Sequence, residues 1–242
     1  MKAEEFLEKT EEISPLSDQE EKVTTEEQDI DRGSFNIVQK GQPVQGPPEE
    51  GIYEMYHGSG HLVSCYEKGQ KQGETLIYDK EGTLTHRVTY QQDCLQGPAS
   101  SYFSNQTTEM TFVYQDDVLQ GPIVSFYPNG VKCFEGTLKQ GKLEGDFIFY
   151  DEKGDVCQKA VYKEGLRHGP CTTYFPKSQG GGLCQTEVYE KGLLTKNQDL
   201  FYSTGELLQR TPYEKGKALN HPIQLNKKGK PITDPANKNR KD

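Results

Sequence analysis

The chain has 242 residues, of which 32% are hydrophobic. That is well below the ~45–50% usual for globular chains, and it argues against a thick, two-sided core. The formal net charge is -9 and the pI about 5.2, and without a broad basic stripe this disfavours nucleic acid as a partner. No apolar run reaches the ~18–20 residues of a membrane helix. The first residues lack the basic and apolar regions of a secretory signal, so a cytoplasmic setting with reduced thiols is expected. Export by a route independent of a signal peptide is compatible with this.

Residues 1–35 read as an acidic, solvated, disordered tail. Residues 1–31 alone hold twelve acidic and three basic residues, and so carry the whole net charge. Too few apolar residues are present to offset chain entropy. Residues 36–50 read as a linker or N-terminal cap.

From residue 51 to about 230 the chain repeats. Gly73, Gly97, Gly121, Gly145 and Gly169 follow one another at intervals of 24. Between them an aromatic or apolar position recurs every 12 residues: Tyr66, Tyr78, Tyr90, Tyr102, Tyr114, Phe126, Leu138, Tyr150, Tyr162 and Tyr174. A step of 15 leads to Tyr189, after which Phe201 and Tyr213 resume the period. The extra residues fall in the Gly-rich stretch 177–182, where a turn tolerates insertion. Units begin near 51, 73, 97, 121, 145, 169, 196 and 220, and the degraded last unit suits a cap.

Twelve residues suit one strand and one turn. Turn signals recur in step, among them Asn129-Gly130, Lys68-Gly69 and Lys191-Gly192. The expectation is an all-β fold, an elongated antiparallel meander of about seven stacked β-hairpins and roughly 14 strands. One face is expected to be aromatic and apolar and the other solvated. Residues 231–242 form a basic C-terminal tail.

The order Gly, strand, Tyr, polar turn, Gly, strand, Tyr, then Lys/Glu-Gly resembles the MORN repeat, in the bacterial variant found in YwqK-type antitoxins. The stretches Tyr66 to Gly73 and Tyr162 to Gly169 carry the resemblance best. Trp, frequent in the classical form, is absent. Asp93, Asp117 and Gln106 stand at turn-glycine positions, which such residues tolerate. The resemblance implies a β-hairpin stack used for protein association or membrane proximity, with the repeat tyrosines and junction glycines as structural positions.

Patterns suggestive of chemistry fail on context. The segment 136–143 nearly spells a P-loop, but Leu143 stands where Ser or Thr must bind magnesium. His57 and His61 are separated by a Gly-Ser-Gly turn and not presented by one helix face. Cys133, Cys157 and Cys184 are repeat equivalents, each three residues after a turn glycine. Equivalent strands lie about 9.5 Å apart, beyond the ~7 Å Cα limit of a disulfide. Cys171 and Cys184 fall within one hairpin, where the inserted loop leaves their register open.

The expected function is a non-enzymatic repeat scaffold for protein–protein association, with no cofactor, metal, nucleic acid or small-molecule substrate. The protein partner is unidentified, and any membrane contact is expected to be weak and carried by the basic tail. The alternative is an antitoxin-like inhibitor or exported effector that binds one specific protein. A phosphatidylinositol phosphate kinase label could arise through related repeats, but no kinase domain fits outside them.

Overall fold

Each two-residue turn returns the chain antiparallel to itself before a helix could nucleate, and strands follow one another in sequence order. The computed structural model describes residues 48–57 and 60–232. The expected acidic tail, the linker up to residue 47 and the tail from residue 233 lie outside the described residues. The chain divides into two units, parting between Asp117 and Val118.

The first unit holds β1 (Glu50–His57), β2 (Gly60–Glu67), β3 (Gln70–Asp79), β4 (Leu84–Gln91), β5 (Cys94–Leu95), β6 (Gly97–Tyr102) and β7 (Thr108–Gln115). They form an antiparallel meander, with β4 pairing first with the short β5 and then with β6. The second unit holds β8 (Val118–Leu119), β9 (Gly121–Phe126), β10 (Lys132–Lys139), β11 (Lys142–Tyr150), β12 (Val156–Lys163), β13 (Leu166–Tyr174), β14 (Leu183–Glu190), β15 (Leu193–Phe201), β16 (Leu207–Glu214), β17 (Lys217–Ala218) and β18 (Ile223–Gln224). From β9 to β16 each strand pairs antiparallel with the next. Among the described residues the fourteen longer strands match the expected number of roughly 14; β5, β8, β17 and β18 are two-residue additions. The insertion between β13 and β14 holds a single 3-10 turn, Lys177–Gln179.

Two turn types alternate. In the tight turns both central residues have positive φ, as in Lys68 (54°) and Gly69 (76°), the geometry that matches strand twist. Asp93 and Asp117 adopt φ of 65° at the glycine position. Their carboxylates accept bonds from the N–H groups of Lys71 and Leu95, each at 2.7 Å, and these bonds offset the backbone cost. Gln106 likewise takes φ 65° in a wider turn. Other wide turns are held by a side-chain oxygen: Asp151 accepts from the N–H groups of Lys153 and Asp155 at 3.0 and 2.9 Å, an Asx arrangement.

Successive repeats are stitched at the tight turns. The N–H of Asp93 donates to the Lys71 carbonyl at 3.1 Å, and those of Gly141 and Gly165 donate to Leu119 and Leu143 at 2.8 and 3.0 Å. The side chains of Gln72, Gln96, Gln120 and Glu144 accept from the first N–H of the following turn, at Gln92, Asp116, Gln140 and Glu164, over 2.8–3.0 Å.

The inner face carries two rows of paired side chains. In the first unit Ser64, Thr75, Val88, Ala99 and Phe112 form one row, and Leu62, Ile77, His86, Ser101 and Met110 the other. In the second unit the corresponding rows centre on Ile123, Phe147 and Ala160, and on Phe134 and Phe149. Small residues oppose large ones: Ala99 faces Phe112 and Ala160 faces Phe147. At Gly136 an added Cβ would lie 2.4 Å from Phe147 Cε1. Phe134, Leu143 and Phe147 are fully buried, each contributing about 1.5–3 kcal/mol by burial.

Candidate interaction surface

The tyrosines lie on both faces, not on one aromatic face as the period suggested. Each tight turn pairs odd with even positions, as Glu67 with Gln70. Residues twelve apart, an even number, therefore fall on opposite faces of adjacent strands. Tyr66, Tyr90, Tyr114, Tyr162, Tyr189 and Tyr213 share the inner face of their strands with the core rows. Tyr78, Tyr102, Tyr150 and Tyr174 take the outer face, each beside a register shift.

On the inner side the junction glycines stand directly opposite the aromatic positions. Gly73 pairs with Tyr90, Gly97 with Tyr114, Gly145 with Tyr162 and Gly169 with Tyr189, while Gly121 pairs with Leu138. These five glycines have φ from 80° to 98°, a backbone that disfavours a Cβ. Tyr114 and Tyr162 are 6% and 2% exposed, and the Tyr162 ring meets Phe147 edge-on at 5.1 Å. Burial, with Tyr90 and Asp117 nearby, pushes the Tyr114 hydroxyl up to about 12. Five residues after an inner tyrosine stand Leu95 and Leu119, or a cation: Lys71 Nζ lies 5.2 Å from the Tyr90 ring centre and Arg167 lies 5.4 Å from that of Tyr189.

From β12 onward the inner face turns polar. Gln158 donates to Thr173 Oγ1 at 3.1 Å, and Gln198 donates to Glu187 at 2.7 Å. Glu187, only 7% exposed, also accepts from the Tyr189 hydroxyl at 3.1 Å. These groups satisfy one another, as buried polar groups must.

The outer face mixes aromatic and charged groups. His61 lies flat between Tyr56 and Tyr78, at 5.0 and 4.5 Å. The Tyr150 hydroxyl donates to Glu135 at 2.5 Å, and Lys132 pairs with the same carboxylate at 2.7 Å. Those two bonds hold Glu135 below the usual carboxylate range. Arg210 grips Asp199 with two bonds, 2.7 and 2.6 Å. Leu166 and Leu193, each 50% exposed, follow tight turns and lie against Gly192 and Gly216.

All six cysteines are free thiols. Cys133, Cys157 and Cys184 each occupy the extra position at a register shift in their strand. Cys171 stands opposite Glu187 and not Cys184, so the register left open by the loop does not bring the two cysteines together. Burial raises the Cys157 and Cys171 thiols, and the Asp117 charge raises exposed Cys94. None of these three is activated as a thiolate. The near P-loop is the β10–β11 hairpin, with Gly141 in its tight turn.

The turn-capping column escaped the sequence reading. Its signal is an amide or carboxylate immediately before the junction glycine in four successive units, Gln72, Gln96, Gln120 and Glu144; His168 fills the fifth.

Residues 143–164 match the family model described as the MORN repeat variant. No curated protein matches the chain. Similar solved structures include a glycosylation-associated protein (Gap123) complex from Streptococcus agalactiae, at 15% identity over 44% of this chain and 20% of that one, with TM-score 0.30. A TarM mutant from S. aureus, in complex with fondaparinux, alpha-GlcNAc-glycerol and UDP, is 10% identical over 60% of this chain and 21% of that one, with TM-score 0.23. A porin-like protein from Bacteroides uniformis is 11% identical over 70% of this chain and 92% of that one, with TM-score 0.20. The chain spans about a fifth of the length of the first two. At these TM-scores the likenesses carry no argument.

Proposed function

We propose that this MORN-repeat chain is a non-enzymatic scaffold that binds another protein through the outer face of its hairpins. The observation that carries the reading is the division of the tyrosines. The inner column is committed to the fold, opposite glycines and against the core. The outer tyrosines, Tyr102 within the first unit and Tyr174 within the second, are half-buried, each on the face of its own strand away from the core rows. Tyrosine combines apolar area with a polar tip and suits protein contacts. The exposed leucines at the tight turns add apolar contact points on a surface otherwise rich in charge.

The test is affinity capture with the full chain from its native cell, followed by mass spectrometry. A protein recovered in near-stoichiometric amount and binding the purified chain directly is the expected result. Recovery of no protein above background, together with turnover of a small molecule by the purified chain, would overturn it.

A further inference from the structure

We infer that the outer edge of β1 accepts an extended peptide segment bearing lysine or arginine, which joins the sheet as an added strand. This deepens the scaffold reading and rests on it. Among the described residues β1 pairs only with β2, at the start of the first unit's meander. An edge strand presents a row of N–H and C=O groups ready to pair with another chain.

Within its own residues β1 carries neither a bulge nor a proline or lysine, the devices that blunt an edge strand. Its pairing runs without interruption from Glu50 opposite Glu67 to His57 opposite Gly60. The other extended pairings each contain a register shift. β1 contains no proline, lysine or arginine. The last strands of the second unit are the contrast. There β17 and β18 are two residues long, Pro212, Pro222 and Pro231 have no N–H to donate to an added strand, and Lys227, Lys228 and Lys230 crowd the final turn. Proline and lysine at an edge are devices against strand addition.

The charge of β1 selects the occupant. Glu49 and Glu50 are exposed. Glu54 accepts from the Tyr56 hydroxyl at 2.7 Å and lies 3.4 Å from His61 Nε2. Opposite charges directly across a strand pair are favourable and like charges are not. An incoming strand therefore gains from a basic residue beside Glu50. Tyr56, 51% exposed and stacked on His61, offers its ring to the same neighbour.

The probe is the acetylated, amidated peptide Lys-Val-Lys-Val-Lys-Val-Lys, added to the full chain. Its control carries proline at the central position. The expected result is half-saturation below about 1 mM, with slowed hydrogen exchange at amides of residues 50–57 and unchanged exchange in β14. The proline peptide should bind at least about tenfold more weakly. Glu50→Lys, at an exposed site opposite Glu67 and so with its unfolding midpoint not lowered, should weaken the lysine peptide roughly three- to tenfold. Equal binding of both peptides would reduce the effect to charge alone and overturn the inference. So would absence of binding, amides of 50–57 already protected by the chain's own residues, or self-association that excludes the peptide. If the peptide fails while a captured protein still binds in a manner weakened by Tyr102→Ser or by Tyr174→Ser, the scaffold reading survives and only this inference falls.

Discussion

Tyr162 is 2% exposed and meets Phe147 edge-on, whereas Tyr150, twelve residues earlier, holds Glu135 on the other face. Tyr162→Ala should cost about 3–4 kcal/mol, through lost burial and a residual cavity. Tyr150→Ala should cost about 1 kcal/mol or less, since a half-exposed bond to a carboxylate contributes little. Urea unfolding of the two variants checks this, and equal costs would contradict the two-face division. Gly136 supplies a second test at the same scale. Gly136→Ala drives a methyl into the Phe147 ring and should destabilise by about 1–3 kcal/mol. Combining it with Phe147→Leu should recover part of that loss, and a double-mutant cycle with no coupling would show that the two do not meet. His86 sits in the inner row opposite Ile77 and Ser101, and burial holds its pKa below 6.5, against the opposing Glu109 charge. Between that lowered value and 6.5 the unfolded chain binds more protons, so stability rises with pH. Acidification through this window should lower the melting midpoint of the wild type more than that of His86→Gln.

The hairpin is the element at which the chain is most readable. The 12-residue step, the turn glycines and the insertion at 177–182 all correspond to strands and turns found there. Asp93, Asp117 and Gln106 do take left-handed turn backbones. Two things were not legible. The face of each tyrosine depends on hairpin register, which a count of residues along one strand does not contain. The turn caps depend on a side chain reaching a neighbouring repeat, so Gln72 and Gln96 look like ordinary surface amides until the repeats are stacked. The same stacking makes the caps testable. Gln120→Ala leaves the first N–H of the Gln140 turn without its 2.8 Å acceptor and should cost about 0.5–1.5 kcal/mol. Faster exchange at that turn, with β14–β16 unaffected, would mark the damage as local, as nearest-neighbour repeat energetics require. Exchange changes spread evenly through the second unit would contradict it.

Across the whole molecule, sequence charge and repeat structure divide the work. Residues 1–31 carry the net negative charge, and Lys227, Lys228, Lys230, Lys238, Arg240 and Lys241 concentrate basic charge near the C-terminus. Liposomes with anionic lipid should therefore bind the chain weakly and release it as salt rises, since each basic residue adds about 1 kcal/mol at most. Binding that persists in high salt and survives deletion of residues 214–242 would assign lipid contact to the hairpins themselves. Protein association remains the central claim, and it rests on the outer tyrosines. The most direct test is the affinity of the captured partner for the double variant Tyr102→Ser, Tyr174→Ser, measured beside its urea unfolding midpoint. The account predicts affinity reduced at least tenfold, the size expected of aromatic contacts worth about 1–2 kcal/mol or more, with the midpoint nearly unchanged. Undiminished affinity in the folded double variant would contradict it.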